Sequence, residues 1–139
     1  VALTLEIISP EKLLVSKQVE MVVIPGTEGD LGILEGHSRL ITSLRGGLVD
    51  LYENNAITDR FFVSGGFAEV TGDRCSVLAD SITKQSDLSA DVAADALAKA
   101  KAAYAAADMT DPNTYREMSD RLISAQAMVD SIPGRRGEG

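Results

Sequence analysis

Up to about Lys84, apolar and polar residues alternate in short runs. In "LTLEI" Leu3, Leu5 and Ile7 fall on one face, and "VEMVVI", "GLVDLY", "RFFVS", "FAEV" and "CSVLAD" follow, each short enough for a single strand. Short, frequent strands separated by turn residues predict a sandwich. Gly72-Asp73 in "VTGDRC" predicts a hairpin in which glycine takes a positive φ, and "YENNAITDR" predicts another.

After "SITKQSDLS" the period changes from 2 to 3.6 and alanine takes over, which places a boundary near Gln85 to Leu88. The expected division is a β-sandwich domain over 1–86 and a helical hairpin with a frayed tail over 87–139. Ser89 can cap the first helix, with Asp91 in its positive first turn. Val92, Ala93, Ala96, Leu97, Ala100, Ala103, Tyr104 and Ala107 form its apolar stripe, and Asp95 and Lys99 make an i,i+4 pair outside it. Asp111 before Pro112 caps the second helix. There Tyr115, Met118, Leu122, Ala125, Val129 and Ile132 recur in a heptad-like seam, Pro133-Gly134 ends the helix, and "RRGEG" frays. The Asp108 to Thr110 link is short enough for an antiparallel pair. Alanine lets helices approach closely but buries little area, so the pair needs docking elsewhere.

Charge and composition exclude several classes. With 13 basic against 21 acidic residues and a net charge of -8, the chain lacks the clustered cations that nucleic acid requires, and anionic lipid offers it nothing. Apolar runs such as Met21 to Ile24 are too short to span a bilayer and no basic leader opens the sequence, so a soluble, cytosolic protein is expected. The lone Cys75 shares a face with Val77 and Ala79 and reads as a packed core thiol. The single histidine, His37, has no nucleophile pattern beside it, and no catalytic constellation emerges.

One stretch departs from the alternation. "PGTEGDLGILEGHSRLIT", Pro25 to Thr42, holds Gly26, Gly29, Gly32 and Gly36 among Glu28, Asp30, Glu35 and His37. Glycines at this density point to tight turns, positive φ or close approach, and Gly29 and Gly32 are the positions expected to need positive φ. The acids have no metal-ligand spacing. A small-ligand-binding sandwich would cradle an anion here through backbone N–H groups, but the phosphate-loop Gly-Lys-Ser/Thr ending is missing and three acids would repel phosphate. A free-standing adaptor, self-associating through the heptad-like seam, is the other alternative.

The order of these pieces, "GTEGDLGILEGH", "LVDLY", "FVSGGFAEV", "VLAD" and an alanine-rich helix pair, resembles the epsilon subunit of F-type, rotary ATP synthases of the bacterial type. The match covers nearly the whole chain. The resemblance implies a ten-stranded sandwich followed by a two-helix hairpin, in a non-catalytic subunit of the central stalk. It implies the gamma subunit and the polar loops of the c-ring as partners, without direct membrane insertion, at the cytoplasmic face of the bacterial inner membrane. Gly26, Glu28, Gly29, Asp30, Gly32 and His37 would form the partner interface, with Glu28 and Asp30 facing the ring and His37 facing gamma.

Family members that bind ATP on the hairpin resemble one another in a motif of an aliphatic residue, Asp, two variable residues, Arg and Ala. Here "SADVAADA" keeps the acid as Asp91 but places Ala94 where the arginine would be. Without the guanidinium a triphosphate loses its bidentate donor, so no nucleotide site and no cofactor are expected. In some members the hairpin inhibits hydrolysis by reaching up into the catalytic alpha/beta head. The resemblance leaves that contact open here, with Lys99, Lys101, Arg116, Arg121 and Arg135-Arg136 as the available cations.

Overall fold

Leu3, Leu5 and Ile7 are fully buried in β1 (Leu3–Ile8), as alternation requires of a strand with one face on a core. The structure is a computed structural model, and it describes residues 3–10 and 13–133. After β1 come β2 (Leu13–Val19), β3 (Met21–Gly26), β4 (Gly29–Leu34), β5 (Leu40–Leu44), β6 (Gly47–Glu53), β7 (Ala56–Val63), β8 (Gly66–Thr71), β9 (Arg74–Ala79) and β10 (Ile82–Lys84). A single 3-10 turn, Gln85–Asp87, leads to α1 (Ala90–Ala106) and α2 (Pro112–Asp130). The sandwich followed by two helices is therefore present as expected.

The strands run in the order β10-β7-β6-β3-β5-β8-β9-β1-β2, with β4 on the free side of β3. β3 pairs with β6 over Met21 to Val23 and meets β5 only at Gly26, so it passes from one layer to the other. Leu5, Ile7, Val22, Ile24, Val49, Leu51 and Val77 fill the space between the layers. Lys17 on β2 reaches both Glu53 and Asp59, 3.3 Å each, on the β6–β7 ribbon. That bridge joins the edge of one layer to the other.

Several local expectations are corrected. "VEMVVI" is not one strand, since the chain breaks at Glu20, whose carboxylate receives the Asn54 amide. The β8–β9 hairpin turns at Gly72-Asp73 as expected, but without positive φ. The β6–β7 hairpin does use it, at Asn54 (53°) and Asn55 (63°), the two-residue turn that matches strand twist. Cys75 is buried among core side chains, and burial pushes its thiol up to about 12.

The helix caps stand where the sequence puts them. Ser89 Oγ accepts from the Val92 amide at 3.3 Å and Asp111 Oδ1 from the Asn113 amide at 3.0 Å. Asp95 and Lys99 pair at 3.0 Å. The stripes meet at Ala93, Ala100 and Ala125, but Val92 and Tyr115 are largely exposed. Each lies in the first turns of its helix. Tyr115 instead leans on Tyr104, ring centroids 6.4 Å apart.

Leu48 and Phe62 pair across β6 and β7 and are buried, yet they stand outside the core cluster. Their face is the outer one, since Val49 beside them points inward. α2 crosses β6 on that outer face. The docking that an alanine-poor-in-area hairpin requires is thus supplied by the sandwich itself.

Candidate partner interface

The glycine-rich stretch is mostly a strand. β4 pairs antiparallel with β3 from Gly26↔Gly29 to Met21↔Leu34, leaving Thr27-Glu28 as the turn. Gly29 takes φ +136° and Gly36 +88°, whereas Gly32 takes no such value, and a Cβ there would meet only Met21 Sδ at 3.7 Å. The expectation of positive φ at Gly32 is therefore corrected. Gly26 is needed for another reason, because a Cβ on it would lie 2.7 Å from the Gly29 carbonyl oxygen.

Charge is arranged at one end of this ribbon. Glu28 and Asp30 are exposed, and Arg45 Nη2 donates to Asp30 Oδ1 at 2.7 Å while Nη1 donates to the Gly26 carbonyl at 3.1 Å. Asp30 is thus not a free acid. Arg45 escaped the sequence reading because it lies fifteen residues away; its flanking "RGG" was the available signal, since the β5–β6 turn carries it beside the β3–β4 turn. His37 sits at the opposite end of β4, half-buried, with Nδ1 2.7 Å from the Ser38 carbonyl oxygen. The Gly36 amide there donates to Gly72 O at 2.6 Å. Six residues of strand put the acids and His37 roughly 17 Å apart.

Where α2 meets the sandwich, Ser124 Oγ donates to the Ser64 carbonyl at 3.0 Å and Gln85 Nε2 to the Ser131 carbonyl at 3.1 Å. A Cβ on Gly46 would stand 2.7 Å from Ser124 Cα, so this turn must be glycine for the helix to lie against it. Asp91 and Ala94 are exposed on α1. Ala94 lines an open groove of about 290 Å³ whose one cation among the described residues is Lys101. The Arg135-Arg136 pair lies outside the described residues. Among the described residues no group of three His, Cys, Asp or Glu could hold a metal, and no helix is long and apolar enough to cross a membrane.

Residues 2–85 match the family model for the ATP synthase, Delta/Epsilon chain, beta-sandwich domain. The ATP synthase epsilon chain of Granulibacter bethesdensis is 48% identical over 128 residues, 92% of this chain and 95% of that one. That of Gluconacetobacter diazotrophicus is 42% identical over 134 residues, 96% and 95% of the two chains. A chain in the Euglena gracilis mitochondrial ATP synthase assembly of OSCP, F1 and c-ring superposes with a TM-score of 0.74 at 22% identity, covering 91% of this chain and 79% of that one, which speaks for the fold. A sandwich matched along its whole length, and relatives this similar over both sandwich and hairpin, make this chain a member of the ATP synthase epsilon chain family.

Proposed function

We propose that the chain is a non-catalytic subunit of the central stalk, linking gamma to the c-ring at the cytoplasmic face of a bacterial inner membrane and so coupling proton flow to ATP synthesis. The observation that carries this reading is the β3–β4 ribbon, a stiff element with acids at one tip and His37 at the other. In that arrangement Glu28 and the Asp30–Arg45 pair face the polar loops of the ring, and the His37 end faces gamma. Exposed ion pairs contribute only about 0 to 1 kcal/mol each, so shape has to carry the contact over an extended surface. The shape is set by Gly26 and Gly29 at the acidic tip.

The hairpin is proposed as a separate unit that serves regulation rather than nucleotide storage. With Ala94 in place of an arginine and Lys101 as the groove's cation among the described residues, a triphosphate finds little there to bind. The test of the coupling role is ATP-driven proton pumping measured beside ATP hydrolysis in membrane vesicles. Gly29→Val complexes that assemble should pump less while hydrolysing ATP normally; full coupling would refute the role of the ribbon.

A further inference from the structure

The β5–β6 turn is gripped from two sides. On one side Arg45 N donates to the Pro25 carbonyl at 2.9 Å, Nη1 to the Gly26 carbonyl at 3.1 Å and Nη2 to Asp30 Oδ1 at 2.7 Å. A Cβ on Gly47 would stand 2.9 Å from Pro25 Cβ. On the other side Gly46 lies against the backbone of α2 at Ser124. One arginine thus stands between the acidic tip of the ribbon and the seat of the hairpin. Arg45 and Asp130 together line two adjoining clefts, of about 180 and 490 Å³, along the C-terminal half of α2. Asp30 and Asp50 line the smaller one as well, and Asp50 is held by Arg60 at 3.3 Å. Asp130 Oδ1 accepts from Gln126 Nε2 at 3.1 Å, but among the described residues Asp130 has no ion pair. The last turn of α2 contains no basic residue, so the carbonyl end of the helix, where a cation is stabilised by the dipole, has none of its own.

We propose that Arg45 is a positioning residue with two carboxylate partners, Asp30 and Asp130, and that a cationic side chain of the ring, by taking Asp30, hands the guanidinium to Asp130, where it fastens the hairpin to the sandwich. The source of that cation rests on the stalk reading given above; the hand-over within the chain does not. The Arg45–Asp30 pair is suited to exchange. Its side chains are 38% and 59% exposed, and pairs in that setting are weak enough for a third charge to break. The main-chain bond from Arg45 N to the Pro25 carbonyl holds the turn in register while the side chain changes partner. By linkage, docking of the hairpin then favours ring contact as much as ring contact favours docking. Release of the hairpin becomes less favourable without being forbidden.

The experiment follows amide exchange in α2 of the isolated full-length chain, with β1 and β9 as the control for folding. Asp30→Asn frees the guanidinium as a ring cation would, and α2 should exchange about threefold more slowly, the size of effect that an exposed pair supplies. The gain should vanish when Asp30→Asn is combined with Asp130→Asn or with Arg45→Gln. It should persist when Arg135 and Arg136 are both replaced by alanine, the other cations that the sequence places near Asp130. If Asp30→Asn leaves α2 unchanged, or speeds its exchange as loss of a pair that merely stiffens the turn would, the proposal falls. It falls too if the gain survives Arg45→Gln or depends on Arg135 and Arg136. In synthase stripped of this chain, fluorescently labelled Asp130→Asn should bind about threefold more weakly than the parent, and equal affinity overturns the hand-over. A parent that does not bind at all refutes the stalk reading, and the isolated chain then decides the hand-over alone.

Discussion

Gly29 and Gly32 look alike in sequence and differ in the fold. At φ +136° any side chain at position 29 is strained, whereas position 32 has ordinary backbone and open space near Met21. Gly29→Val should destabilise by about 1 to 3 kcal/mol and Gly32→Val by less than 1, measured by urea unfolding of the isolated chain. Equal losses would mean that the ribbon tip can relax. Which glycine matters was not legible from spacing, because φ depends on the turn and the register that β3 imposes. Cys75 was legible, since period-2 alternation alone put it inward with Val77. Its thiol, held near 12 by burial against a usual value of 9.0, makes the unfolded chain the readier proton donor at high pH. Stability should therefore be intact below about pH 9 and fall by up to about 1.4 kcal/mol per unit as pH rises towards 12, a slope that Cys75→Ala should make much shallower. A thiol reagent at pH 8 should label Cys75 only on unfolding.

At the scale of elements, the sequence showed the helices almost completely and the strands incompletely. Caps at Ser89 and Asp111 are local chemistry, so they survive folding unchanged. β2, β4, β5 and β10 were not picked out by alternation; β4, with Gly29, Asp30, Gly32 and Leu34 exposed, has no clean buried face. Leu48 and Phe62 were hidden for the opposite reason. They are apolar on a face that alternation assigns to solvent, and only the docked helix explains them. Leu48→Ala should loosen the hairpin by about 2 kcal/mol while leaving the strands intact, seen as faster amide exchange in α2 than in β1 or β9. Unchanged α2 exchange would place the docking energy elsewhere. On α1, calorimetry with Mg-free ATP should show no saturable binding tighter than about 10 μM; a tighter site would mean that Lys101 and its neighbours replace the lost guanidinium.

For the whole molecule, the question is what moving the hairpin does to the motor, and the docked structure fixes what that movement costs. Leaving the sandwich exposes Leu48 and Phe62 and breaks the Ser124–Ser64 and Gln85–Ser131 hydrogen bonds. A change of about 2 kcal/mol in that docking alters the ratio of docked to released hairpin about thirtyfold, enough to move a regulatory equilibrium without touching a catalytic group. If the released hairpin restrains hydrolysis in the assembled synthase, two variants must act with opposite sign. Gly46→Val drives a side chain into the backbone of α2 at Ser124, favours release and should lower ATP hydrolysis. Deleting residues 114–139 removes the released form and should raise it. The deletion also uncovers Leu48 and Phe62, so it is paired with Leu48→Ser and Phe62→Ser to keep the sandwich soluble. Steady-state hydrolysis by reconstituted complexes of verified composition gives the answer. Changes of the same sign, or none in either variant, would show that the helices serve docking and assembly rather than control of the catalytic head.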